Sequence, residues 1–256
     1  MPDEIKKVLL IALEGVGGSE VMANAEAGKL PNFRRLMTEG TTLARVVADA
    51  SPASNWAALA TGAHTATHGV IGAEPCQAQY LWQAASRASK KTVLLGYPAS
   101  SLPEFNDEHP VELVKPASRD RSYYGRVAAY LRSSPDWDLA FVAMDPGTTP
   151  LHEADDALGV VCEAADAETL RVFVGMATGT GEALAILAGK TIQRPVEVAD
   201  LAPTICHLAE LPVPAECEGG IVYQALGDPD AKTFELQQLR KNYERLRRSS
   251  GRGPMC

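Results

Sequence analysis

The side chains most able to do chemistry crowd into residues 51–72, Ser-Pro-Ala-Ser-Asn-Trp-Ala-Ala-Leu-Ala-Thr-Gly-Ala-His-Thr-Ala-Thr-His-Gly-Val-Ile-Gly. The passage reads as a turn rich in Ser and Asn, a short helix of small residues, and a glycine stop. Ser54 or Asn55 is expected as the N-cap, because either side-chain oxygen can accept from an unpaired amide of the first turn. Ala57, Ala58, Leu59 and Ala60 favour helix, and Gly62 suits the left-handed backbone that ends one. A hydroxyl at a helix N-terminus sits in positive potential, beside free N–H groups that favour an anion. That chemistry is phosphoryl or sulfuryl transfer, with Ser51 or Ser54 as candidate nucleophile and Asn55 as candidate binding residue. The same segment also suits the start of an ordinary α/β helix, so other segments must decide.

Those segments are strands alternating with helices. A continuous apolar run at residues 6–13 predicts a strand buried on both faces, and Glu14 stands at its C-terminal end, where open α/β sheets place their ligands. Gly15-Val16-Gly17-Gly18 lacks the G-x-G-x-x-G spacing of a dinucleotide site. Helices are predicted at 31–40, 76–90, 120–133, 152–165 and 198–208, and strands at 92–97, 139–144, 170–175 and 183–188. A Pro-rich connection spans 98–116, Asp145 follows the strand 139–144, and His152 lies seven residues beyond it. This order predicts an α/β fold with a mainly parallel sheet covered by helices on both faces. The domain is expected over 1–228, with a helical tail at 229–256. In that tail Leu236, Leu239, Tyr243 and Leu246 recur at helical spacing. Their face would pack on the domain or on a second subunit, making a homo-oligomer. Arg245, Arg247, Arg248 and Arg252 read as a solvated face.

Composition narrows the classes. The chain has 256 residues, a formal net charge of −8, and 46% hydrophobic against 22% charged residues. An acidic chain lacks the basic footprint of a general nucleic-acid binder. No apolar run approaches the roughly 18 residues needed to cross a bilayer, so no membrane partner is expected. The charged start leads directly into a strand rather than reading as a signal peptide. Five scattered cysteines, without a C-x-x-C pair, suit reduced thiols. The expected compartment is the cytoplasm, with Cys162 and Cys206 as small core residues.

Asn55-Trp56-Ala57-Ala58-Leu59-Ala60-Thr61-Gly62, followed by His68-Gly69-Val70, resembles the nucleophile segment of the alkaline phosphatase superfamily. The branch it resembles is that of the type I phosphodiesterases and nucleotide pyrophosphatases. Leu30-Pro31-Asn32-Phe33-Arg34-Arg35-Leu36-Met37, with Glu39-Gly40-Thr41, matches the link that precedes that segment. Further matches are Ile186-Leu187-Ala188-Gly189, Val198-Ala199-Asp200-Leu201-Ala202-Pro203-Thr204-Ile205, and Leu211-Pro212-Val213-Pro214 leading to Glu218-Gly219-Gly220. The resemblance covers roughly residues 6–226, and implies an alkaline-phosphatase-like sheet without a lid domain and a phosphate-ester ligand.

It also implies two metal ions, usually zinc, held by aspartates and histidines, and here the chain departs from the pattern. Glu14 stands where relatives have an aspartate. Counting back from Thr61-Gly62, the nucleophile position falls on Pro52, with Ser51 and Ser54 nearby. Asp145-Pro146-Gly147-Thr148 keeps the aspartate but has Thr148 at the histidine, which His152 could replace only along a changed loop path. Relatives carry Asp and His where this chain has Ala177 and Thr178, and the last histidine of the pattern is absent. A zinc site wants at least three good donors. Glu14, Asp145 and His152 are the candidates, enough for at most one weakly bound divalent ion, Zn or Mg. The expectation is therefore a silent or weak relative, with an active hydrolase using an altered single-metal site as the alternative.

Overall fold

Six consecutive buried residues, Val8 to Leu13, form the interior of β1 (Lys7–Glu14) at the middle of the sheet. Strand side chains alternate between faces. Val8, Leu10 and Ala12 accordingly join a core cluster with Trp56, Leu59, Trp82, Leu201 and Ile205, while Leu9, Ile11 and Leu13 join another with Val21, Phe33, Leu131 and Leu158. The apolar run is continuous because both faces are covered. The structure, a computed structural model, describes residues 5–40, 42–98, 111–114, 121–134, 136–144, 150–177, 181–187, 195–225 and 240.

Among the described residues the sheet has eight strands in the order β4-β3-β5-β1-β6-β7-β2-β8. They are β2 (Thr42–Val47), β3 (Thr92–Leu95), β4 (Val111–Val114), β5 (Leu139–Met144), β6 (Thr169–Met176), β7 (Glu182–Ile186) and β8 (Val196–Glu197), with β1 between β5 and β6. β1 runs parallel to β5 and β6, β3 runs parallel to β4 and β5, and β2 parallel to β8. Only β7 breaks the pattern, pairing antiparallel with β6 and β2. The mixed, mostly parallel sheet is the one the sequence predicts.

One face is covered by α3 (Pro52–Thr61), α5 (Leu81–Arg87) and α8 (Leu201–Leu208). α1 (Gly18–Glu26), α2 (Pro31–Glu39), α6 (Arg121–Ser133) and α7 (Leu151–Cys162) cover the other. α4 (Thr65–His68) is a single turn after α3. No helix among the described residues is long and apolar enough to cross a membrane.

Several boundaries differ from the sequence reading. α5 begins at Leu81 rather than residue 76, because the preceding residues are held in tertiary bonds: the Gln79 N–H donates to Glu216 Oε2 at 2.8 Å and the Ala215 N–H to Gln79 Oε1 at 2.9 Å. β2 escapes the alternation test because its pairing register shifts between Leu43 and Val46. β4 lies inside the stretch read as a Pro-rich connection. Apart from Arg240, which is helical, the tail beyond Ala225 is outside the described residues, and so is its expected packing face.

α2 has no N-cap side chain of its own. Asp155, buried in α7, supplies one: its carboxylate accepts from the Asn32 N–H at 3.1 Å and the Phe33 N–H at 2.8 Å. Asn32 Nδ2 adds a third bond to the same carboxylate at 3.1 Å. Satisfying orphan N–H groups from another helix fixes where α2 starts and joins the two helices.

Candidate functional site

The C-terminal ends of β1 and β6 finish side by side, with Glu14 paired to Met176 and the Gly15 N–H donating to Met176 O at 2.7 Å. Glu14 is the last residue of β1 and Ala177 the first after β6. α3 starts beside them. Its Trp56 sits edge-on to Tyr97, with ring centroids 5.5 Å apart, and the Tyr97 hydroxyl donates to Trp56 O at 2.9 Å. Tyr97 in turn packs edge-on against Trp82 and Phe141. This aromatic cluster seats α3 on the sheet and aims the Trp56 indole at Glu14, whose Oε2 accepts its N–H at 2.8 Å.

The cap of α3 is Ser51, not Ser54 or Asn55. Ser51 has an extended backbone and its Oγ accepts from the Ser54 N–H at 3.3 Å, while Pro52 takes the first helical position. Proline suits that position because its missing N–H would have no helical partner there. The Ser51 hydroxyl hydrogen goes to Ile71 O at 2.5 Å. Gly62 ends the helix at φ +69, as expected, and a Cβ there would lie 2.5 Å from Cys217 Sγ.

Ser54 and Asn55 look inward to Asp49. The Ser54 hydroxyl lies 2.5 Å from Asp49 Oδ2 and 2.6 Å from the Thr65 hydroxyl, which itself donates to Asp49 Oδ2. These hydroxyls hold the Asp49 carboxyl below its ordinary range. Asn55 is buried and brackets the Asp49 backbone, accepting its N–H at 2.7 Å and donating to its carbonyl at 2.8 Å. The candidate binding residue thus closes the loop from 49 to 55.

One turn on from Thr65, His68 is fully buried and its Nδ1 accepts the Val70 N–H at 3.0 Å. Nε2 therefore carries the hydrogen of the neutral ring. Burial pushes its pKa down, keeping it uncharged. His64 lies at the surface: its N–H donates to Glu218 Oε2 at 2.9 Å and its Nε2 lies 3.4 Å from Glu197 Oε2.

The structure brings Glu14, Ser51, Ser54 and Asn55 to one end of α3. It leaves His152 exposed on the first turn of α7, while Asp145, Thr148 and Thr178 lie outside the described residues. Sequence reasoning missed Asp49, Thr65, Glu197 and Glu218. Asp49, six residues before Asn55, carried a local signal in its closeness to the Ser-Asn turn. Glu197 and Glu218 carried none, since they meet His64 across more than a hundred residues of chain.

The donors among the described residues do not make up a two-zinc centre. Among the described residues no group of three His, Cys, Asp or Glu side chains comes together. Glu14 is engaged by an indole N–H, a donor that competes with a metal for carboxylate lone pairs. Pro52 and Ala177 offer no side-chain donor.

The profile of the type I phosphodiesterase / nucleotide pyrophosphatase family matches residues 8–167, more than half of the chain. The chain belongs to that family. Similar solved structures agree on the fold. Murine ectonucleotide pyrophosphatase/phosphodiesterase 5 aligns at TM-score 0.61 and 11% identity, over 81% of this chain and 96% of that one. A Vibrio parahaemolyticus protein of the alkaline phosphatase superfamily aligns at 0.65 and 14%, covering 86% and 70%. A putative sulfatase from Bacteroides thetaiotaomicron aligns at 0.69 and 14%, covering 86% and 74%. No curated protein matches in sequence. In this family member the Glu14 carboxylate accepts the Trp56 indole N–H, the Ser51 hydroxyl donates to Ile71 O, and Ser54 is held by Asp49 and Thr65.

Proposed function

We propose that this protein is a catalytically silent or weak member of the type I phosphodiesterase family, retaining the fold for binding or assembly rather than for two-metal hydrolysis. One observation supports the reading: the hydroxyls flanking Pro52, on which the resemblance sets the nucleophile position, already have structural partners. Ser51 is committed to the helix cap and Ile71, and Ser54 to Asp49 and Thr65. A serine that attacks phosphorus needs a general base or a metal to take its proton. Asp49, the base within reach of Ser54, is held in its weakly basic, ionised form. Ala177 and Thr148 in place of metal-binding side chains support the same reading. The scattered cysteines and acidic composition support a reducing, cytoplasmic setting.

Turnover of bis(p-nitrophenyl) phosphate with added Zn, Mn or Mg tests this proposal. The expected rate is background, unchanged in a Ser51→Ala/Ser54→Ala double variant. Metal-dependent turnover that Glu14→Ala abolishes would establish the single-metal hydrolase instead.

A further inference from the structure

We draw no further inference here: the strongest candidate, the free thiols of Cys206 on α8 and Cys217 in the loop that follows it, carries nothing, because burial pushes both thiols up and nothing in the structure shows the two sulfurs within bonding reach.

Discussion

Asp49 accepts hydroxyls from Ser54 and Thr65 on a single carboxylate oxygen, and this depresses its pKa from the ordinary 3.8. A carboxyl whose folded pKa lies below its unfolded one stabilises the fold above the unfolded value, and that contribution is lost as pH falls through the folded value. The native protein should therefore lose stability as pH drops below about 4, and Asp49→Asn should flatten that part of the curve. Urea midpoints measured between neutral and acid pH check it; identical acid limbs would contradict it. Cysteines make a second prediction at this scale. Cys162 and Cys206 are buried as expected, and burial pushes both thiols up to about 12. Because the thiolate is the reactive form, both should resist iodoacetamide in the native state at pH 8 and react only on unfolding. Mass spectrometry of the alkylated native protein reads this directly.

The join between α2 and α7 rests on Asp155, which caps a helix far away in sequence. Asp155→Ala strands one buried and one half-buried backbone N–H group and should cost about 2–3 kcal/mol, with Asp155→Asn costing less because one acceptor oxygen remains. Denaturant unfolding measures both. Elements of this kind show what the sequence can and cannot reveal. β1 and β5 were legible because strands covered on both faces need unbroken apolar runs, and α2 because Pro31 and Gly40 mark its ends. The cap of α3 was legible only as a choice among polar residues: Ser51 wins because Pro52 fits the first helical position, a preference weaker in the sequence than the attraction of Asn55. α5 was read too long because contacts with His68, Glu216 and Ala215 hold the residues before it out of the helix. The polar contacts around Asp49 and His64 were hidden for the same reason, since a carboxylate at 197 or 218 has no local mark of its destination.

At the scale of the whole molecule, the sheet delivers Glu14, Ala177 and the start of α3 to one edge. There Pro52 opens α3, the Trp56 indole N–H donates to one oxygen of Glu14, and alanine follows β6. A two-metal enzyme is defined by ions that lower the pKa of a nucleophile and screen phosphoryl charge; the silent-relative proposal is that this edge, whose described polar side chains bond to one another, holds no such pair. Calorimetric titration of the purified, metal-stripped protein with zinc at neutral pH tests that conclusion most directly. No saturable binding tighter than about millimolar is predicted, since fewer than three good donors converge among the described residues. Stoichiometric binding of two zinc ions at micromolar affinity or better would contradict it.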